Sequence, residues 1–229
     1  MKNDGVIIDM LKKGIGAPTR HENPYFQEAL KYSDCLFTSS EIGEKSSHIL
    51  AQEQELIVEI GSYQGKTLIE LAENNPQFLF LGLDITYKRV VKTARKIHNR
   101  SLANAFVAMS YAEYLFESAF PQNSLRGVCV FFPDPWSKAR HEKYRLLKEN
   151  FIKNVHKSLK PGGFFWFKTD QENYFNETKQ KALQNGFFVS QEEQEKKPSC
   201  ITGGPYETIF QKIFVAKQLP FYEECFIKS

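Results

Sequence analysis

The chain has 229 residues, of which 41% are hydrophobic and 14% aromatic, and this is enough to bury one generous α/β core. A formal net charge of +3 excludes a uniformly basic surface, so any nucleic-acid binding must use a local patch. The four cysteines lack C-x-x-C spacing and the apolar runs are too short to span a membrane, which favours a reduced, soluble, cytoplasmic protein without a zinc site.

The order of apolar and amphipathic segments predicts the fold class. Residues 1–50 show no clear hydrophobic period, and we predict an N-terminal extension there, ahead of one domain over residues 51–229. Beyond residue 56, strands and helices alternate, which predicts an α/β fold with a Rossmann-like, mostly parallel sheet and helices on both faces. The predicted strands are 56–60, 78–84, 105–109, 128–132 and 164–168, and the predicted helices are 66–74, 87–99, 112–118, 143–159 and 173–184. Segments 187–190 and 207–215 are predicted to form a C-terminal antiparallel hairpin.

The first predicted strand meets its helix in a glycine loop that indicates a ligand site. Gly61 and Gly65 would let a ligand approach the backbone beside the free N–H groups of a helix start. Asp84 ends the second strand, where an acid commonly binds ribose hydroxyls. Tyr63 stands where a dinucleotide site would have glycine, so an adenosine ligand without phosphates fits better, and S-adenosylmethionine is the common one. We expect Glu59 near its amino-acid end, although glycines and acids at such a turn can also be purely structural.

A second pattern lies where the fourth predicted strand ends. Asp134 is fixed there between Pro133 and Pro135, because proline locks φ and restricts the residue before it. Trp136 follows and could either stack on a ligand or pack beneath the site. Several cations come next, and together they indicate an anionic ligand held beside one acid, whereas each alone could be a solvated helix face: Lys138, Arg140, His141, Lys143, Arg145 and Lys148.

These residues resemble the tRNA (guanine-N7-)-methyltransferase family. The segment FPDPWSKARH at residues 132–141 is similar to the family's DPW-x-K-x-RH motif. LKPGG at 159–163, KTD at 168–170 and Tyr174 are similar to the pattern that follows it. The resemblance covers roughly residues 56–175 and implies a class I S-adenosylmethionine-dependent methyltransferase fold.

The resemblance also implies an activity and roles for individual residues. The activity is transfer of a methyl group to N7 of guanosine in tRNA, by a monomer or homodimer that needs neither metal nor membrane. Asp134 would be the catalytic residue and would also contact the cofactor. Lys138, Arg140 and Asp170 would bind the substrate, and Glu207 matches the end of a T-x-[FY]-E motif with the same role.

The chemistry of N7 methylation suits this set of residues. N7 carries a lone pair and no proton, so positioning matters more than a general base, and Asp134 could accept hydrogen bonds from the guanine N1–H and amine. Three features depart from the family: Tyr63 replaces a glycine, Tyr111 stands where an acid is usual, and Thr202 is displaced by two residues from its place in the T-x-[FY]-E motif. Two alternatives remain open: a methyltransferase of the same fold that acts on a small molecule or protein, and a non-catalytic RNA-binding relative.

Overall fold

The computed structural model describes residues 24–38, 53–136, 139–186, 188–190 and 197–229. Within these residues eight strands form one sheet. In chain order they are β1 (Leu36–Thr38), β2 (Glu55–Ile60), β3 (Phe78–Asp84), β4 (Ala105–Met109), β5 (Leu125–Phe131), β6 (Leu159–Thr169), β7 (Phe188–Ser190) and β8 (Tyr222–Lys228). The α-helices are α1 (Pro24–Ala29), α2 (Lys66–Asn74), α3 (Tyr87–Asn99), α4 (Ala112–Ser118), α5 (Glu149–Ser158), α6 (Glu172–Leu183) and α7 (Ile209–Ala216).

The strand order across the sheet is β1-β4-β3-β2-β5-β6-β8-β7. Every pair from β1 to β6 is parallel, while β8 is antiparallel to β6 and β7 is antiparallel to β8. From β2 the chain moves outward through β3 and β4, and then returns to β5 on the other side of β2. This reversal creates a crevice at the carboxyl ends of β2 and β5, where ligands bind in open α/β sheets. The prediction of a mostly parallel Rossmann-like sheet with an antiparallel C-terminal end is confirmed.

Burial explains why the central strands read as continuous apolar runs. All seven residues of β3 are buried, as are five of the six in β2. Consecutive side chains of a strand point to opposite faces, and accordingly Ile57 and Val58 belong to different hydrophobic clusters. A sheet covered on both faces needs apolar residues at every position, so strict alternation is not expected here.

The predicted bounds of α2, β3, α3, β4 and α4 agree with the structure. Two neighbouring strands are longer than predicted, because β5 begins at Leu125 and β6 begins at Leu159. The helix predicted over 143–159 is wrong in its first part. There the chain forms a 3-10 helix, Ala139–Tyr144, and then runs non-helically to the start of α5. Tertiary hydrogen bonds hold this non-helical part, since the N–H of Leu147 donates to the hydroxyl of Tyr174 at 3.1 Å.

The predicted second strand of the C-terminal hairpin, 207–215, is also wrong. Residues 209–216 form α7, and the partner of β7 is β8. Thr208 caps α7, because its side chain accepts a hydrogen bond from the N–H of Gln211 at 3.0 Å. A Thr-x-x-Gln sequence is a helix-start pattern, and here it outweighs the β-branched residues that follow it.

The described part of the N-terminal segment packs on one edge of the sheet. β1 pairs with β4 in parallel, and Glu28 of α1 forms an ion pair with Arg95 of α3 at 2.6 Å. The division of the chain at residue 50 stays a prediction. Across the ranges that the structure describes, no helix has the length and apolar character needed to cross a bilayer. The same ranges contain no cluster of three or more His, Cys, Asp or Glu side chains arranged to hold a metal ion.

Candidate active site

A cavity of about 430 Å³ opens at the carboxyl ends of β2, β3, β4 and β5. It therefore lies at the crevice that the strand order creates, and its volume is typical of small-molecule sites. The first turn of α7 forms the opposite wall. Residues that line the cavity include Glu59, Gly61, Tyr63, Lys66, Asp84, Arg89, Ser110, Tyr111, Phe132, Asp134, Trp136, Tyr144, Thr208 and Phe210.

The loop between β2 and α2 has left-handed backbone at alternate positions. Gly61, Tyr63 and Gly65 have φ of 76°, 50° and 68°. At Gly65 a side chain is also excluded by space, because a Cβ there would lie 2.3 Å from Cγ2 of Thr93. The N–H of Gly61 donates to the carbonyl of Leu83 at 2.8 Å, which ties the loop to β3. Tyr63 thus keeps the backbone conformation for which glycine is the usual residue.

Asp84 fixes this loop from the end of β3. Its carboxylate accepts hydrogen bonds from the N–H of Tyr63 at 3.1 Å and from the N–H of Thr86 at 2.8 Å. Arg89 approaches the same carboxylate at 3.7 Å, and its guanidinium lies 4.5 Å from the centre of the Tyr63 ring. A left-handed non-glycine residue costs about 1–3 kcal/mol, and these contacts offset that cost. Asp84 therefore lies against the glycine loop, and its predicted role in binding ribose stays a prediction.

Glu59 is buried at the floor of the cavity, with only 4% of its surface exposed. Its Oε2 accepts no hydrogen bond from any residue that the structure describes. Burial raises the pKa of this carboxyl to about 8. A hydrogen bond with the backbone of Leu68 works in the opposite direction, and the negative charge of Asp84 raises the pKa further. Buried carboxylate oxygens are normally paired, so this one fits a cationic or hydrogen-bond-donating ligand.

Two left-handed residues bracket the Pro133-Asp134-Pro135 segment. Phe132 has φ of 50° and Trp136 has φ of 42°. The N–H of Phe132 donates to the carbonyl of Lys168 at 2.8 Å, and its ring stacks on Phe214 of α7 at 5.4 Å. These contacts fix the loop and leave Asp134 exposed at the cavity wall, where its carboxylate has no hydrogen-bond partner among the described residues.

Arg145 holds this loop in place. Its Nε donates to the carbonyl of Pro135 at 2.8 Å, and its Nη1 donates to both carboxylate oxygens of Glu177 at 3.1 and 2.9 Å. The guanidinium also lies 5.1 Å from the ring centre of Tyr174, and only 11% of the side chain is exposed. Nε and Nη1 of Arg145 are thus used within the protein, which indicates a structural role, and phosphate binding by this residue stays a prediction.

Exposed aromatic and basic side chains gather at the mouth of the cavity. The ring of Trp136 lies 5.7 Å from that of His141 and 5.5 Å from that of Tyr144. Trp136 is 39% exposed, so it does not pack beneath the site. Arg140 and Lys143 are exposed beside these rings and form no ion pair with any residue in the described ranges.

The remaining predicted substrate residues do not line the cavity or lie outside the described residues. Asp170 follows β6, does not line the cavity, and accepts a hydrogen bond from Nε2 of Gln171 at 2.6 Å. The carbonyl of Glu207 accepts from Lys66 at 3.1 Å, just before the first turn of α7. Lys138 lies outside the described residues. The structure thus brings Glu59, Asp84 and Asp134 together around one cavity.

Sequence reasoning missed the contribution of α7 and of the buried Lys168. Lys168 forms an ion pair with Glu223 of β8 at 3.0 Å and donates to Oε1 of Gln211 in α7 at 3.1 Å. Burial lowers the pKa of this lysine, while the charge of Glu223 works in the opposite direction. Lys168 therefore joins β6, β8 and α7 behind the cavity. The capping pattern at Thr208 could have located α7. The KTD segment at 168–170 pointed to the family, but it did not indicate that Lys168 is buried in an ion pair.

Comparison with known proteins tests the family resemblance. A tRNA (guanine-N(7)-)-methyltransferase of Legionella pneumophila (strain Paris) is 40% identical over 118 residues, which are 52% of this chain and 50% of that protein. One of Arthrobacter sp. (strain FB24) is 37% identical over 142 residues, 62% of this chain and 44% of that protein. The chain thus spans about half the length of the curated relatives it matches, and the resemblance inferred from the motifs is confirmed.

Solved structures and a family model complete the comparison. The 16S rRNA methyltransferase KamB has a TM-score of 0.58 at 14% identity, covering 81% of this chain and 93% of that one. The aminoglycoside resistance methyltransferase NpmB1 has a TM-score of 0.54 at 16% identity, covering 82% and 93%. At such identities these likenesses show the fold, which is that of methyltransferases. The methyltransferase family model Methyltransf_4 matches residues 53–223, and the chain belongs to this family.

Proposed function

We propose that this protein transfers a methyl group from S-adenosylmethionine to N7 of guanosine in tRNA, forming 7-methylguanosine. One observation carries the proposal: Asp134, exposed and without a partner among the described residues, lines the same cavity as the buried Glu59 and Asp84. A cofactor site and a substrate-facing acid therefore share one space. The names of the curated relatives support tRNA as the substrate.

The residues of the cavity floor fit the methyl donor. The unpaired Oε2 of Glu59 suits the ammonium group of its amino-acid part. Asp84, whose carboxylate already orders the glycine loop, lies at the strand end where ribose hydroxyls are bound. When bound, the cofactor supplies a methyl group on a sulfonium sulfur, which takes the electron pair of the broken S–C bond as N7 forms the new N–C bond.

Asp134 would orient the guanine and stabilise its positive charge. Its two oxygens can accept hydrogen bonds from N1–H and from the exocyclic amine, and a carboxylate favours the purine that becomes cationic on methylation. No proton leaves N7, so no residue of the cavity has to act as a base. The contribution of the protein is alignment of nucleophile and methyl group, together with this electrostatic stabilisation.

Binding of tRNA would use the basic side chains at the cavity mouth. Arg140 and Lys143 are exposed and form no ion pair with any described residue, so their positive charges are available to phosphates. Phosphate contacts of this kind hold the RNA in register and carry no sequence information themselves. Selection of the guanosine would then depend on the cavity.

The proposal is tested by mass spectrometry of nucleosides from unmodified tRNA treated with the purified protein and S-adenosylmethionine. We expect 7-methylguanosine, whereas methylation confined to small molecules or proteins would contradict the proposal. Asp134→Asn should keep the fold and the tRNA affinity but lose about 10- to 100-fold in single-turnover rate, the worth of a hydrogen bond to a charged group. Glu117→Gln, at an exposed acid of α4 that does not line the cavity, is the matched control.

A further inference from the structure

Trp136 and Tyr144 form an exposed aromatic pair, which we call the aromatic platform, at the mouth of the cavity. Both line the cavity, and they are 39% and 56% exposed. The other tryptophan of the chain, Trp166, is 0% exposed and packs in the core. Large aromatic side chains stabilise a fold when they are buried, and these two at the cavity mouth are not buried. Exposed aromatic side chains at such a position are typical of a ligand-binding site.

The surrounding contacts hold the platform in a fixed orientation. Trp136 has φ of 42°, a strained conformation for a bulky residue. The carbonyl of Pro135, one residue earlier, is tied to Arg145 at 2.8 Å. His141 meets the indole edge-to-face at 5.7 Å, and Nε of Arg140 donates to the imidazole at 3.2 Å. The ring is thus fixed in place before a ligand arrives, which reduces the entropy lost on binding.

We propose that this platform stacks on the target purine and favours its 7-methylated, cationic form over the neutral one. The inference rests on the proposed function and adds a second specificity element to it. Asp134 lies two residues before Trp136 and lines the same cavity, so one base could meet the carboxylate with its edge and the indole with its face. Stacking on aromatic side chains is the usual way in which an unstacked RNA base is held.

The preference for the cation follows from the charge that methylation creates. The faces of tryptophan and tyrosine attract cations, and tryptophan does so most strongly. The structure already contains one such contact, since the ammonium of Lys143 lies 5.2 Å from the ring centre of Tyr144. Positive charge appears on the purine as the methyl group is transferred. An attraction that grows along the reaction lowers the barrier, whereas equal attraction to substrate and product would only tighten binding.

The experiment compares guanosine 5′-monophosphate with 7-methylguanosine 5′-monophosphate as probes of the full chain. Binding is followed by isothermal titration calorimetry, which reports on Trp136→Leu as well as on the parent. We expect the methylated nucleotide to bind the parent more tightly than the unmethylated one. Trp136→Leu should weaken binding of the methylated nucleotide by about tenfold, or about 1.4 kcal/mol, and should reduce the preference between the two. Tyr144→Phe, which keeps a ring, should retain the preference.

Controls separate this inference from the proposed function. Tyr114→Ala removes an aromatic ring that is 37% exposed on α4 but does not line the cavity, and it should leave both affinities unchanged. Single-turnover methylation of tRNA is measured on the same preparations, with circular dichroism to confirm the fold. If the parent methylates tRNA but Trp136→Leu matches it in both nucleotide affinities and in rate, the inference about the aromatic platform is wrong and the proposed function stands. If the parent forms no 7-methylguanosine in tRNA, the proposed function fails.

Discussion

Substitution of Glu59 by glutamine tests whether the floor of the cavity is built for a cationic ligand. The carboxyl is buried, one of its oxygens has no described partner, and its pKa is raised from 4.5 to about 8. Below pH 4.5 the group is protonated in both the folded and the unfolded chain. Between pH 4.5 and about 8 the unfolded chain releases this proton and the folded chain keeps it, so the free energy of unfolding falls as pH rises.

The size of the effect follows from the shift. At pH 7 the raised pKa corresponds to at most about 3 kcal/mol of lost stability in the protein without ligand. Glu59→Gln removes the titrating group, so the free energy of unfolding of the variant should increase relative to that of the parent as pH rises. A gain of that size would raise the melting temperature by roughly 5–10 °C at pH 7. At pH 5 the difference between the two proteins should shrink to less than about 2 °C.

The assay is thermal unfolding of parent and variant, without ligand, at half-unit steps from pH 5 to pH 8. Binding of S-adenosylhomocysteine, which carries the same ammonium group as the proposed cofactor, is measured over the same range by calorimetry. The parent should bind more tightly as pH approaches 8, because the charged carboxylate is then easier to form, and Glu59→Gln should bind weakly throughout. A melting difference that stays constant from pH 5 to pH 8 would refute the assignment of the raised pKa to Glu59.

Three further predictions concern the residues around the cavity. Asp84→Ala should weaken S-adenosylhomocysteine binding by about 1.5–3 kcal/mol, measured by calorimetry, and unchanged affinity in a folded variant would remove Asp84 from the site. Arg145→Ala should lower the free energy of unfolding in urea by about 1.5–3 kcal/mol, because it leaves the partly buried Pro135 carbonyl and Glu177 without their donor. Arg140→Ala and Lys143→Ala should instead leave stability nearly unchanged, and each should reduce the salt dependence of tRNA binding by about one counterion. If the slope of log affinity against log salt concentration equals that of the parent, the two cations belong to a solvated surface and do not bind phosphate.

The sequence predicted best those elements whose form depends on local pattern. β3 is a continuous apolar run and α3 has a buried stripe formed by Val90, Val91, Ala94 and Ile97, so periodicity alone placed both. Glu59, Asp84 and Asp134 could be predicted to meet because each follows or ends a parallel strand at the same edge of one sheet. Topology fixes such positions before any side-chain contact is known.

The prediction failed where distant residues decide the local conformation. Residues 145–148 have a composition suited to a helix, but the ion pair of Arg145 with Glu177 and the hydrogen bond from Leu147 to Tyr174 hold them in a non-helical conformation. The roles of Arg145 and Lys168 were likewise out of reach, since a cation that binds RNA and one that supports the fold look alike in a sequence. Their partners, Glu177 and Glu223, are separated from them along the chain and have no recognisable spacing.

The position of β8 has a consequence for the chain during synthesis. In the sheet β8 lies between β6 and β7, yet it leaves the ribosome after both. Until it arrives, β6 is an open edge that displays the aromatic residues 164–167, and β7 has no neighbour to pair with. An unprotected apolar edge of this kind can pair with another chain. Stalled or shortened products of this gene should therefore aggregate, and chaperones would be needed most in the interval before residues 222–228 are added.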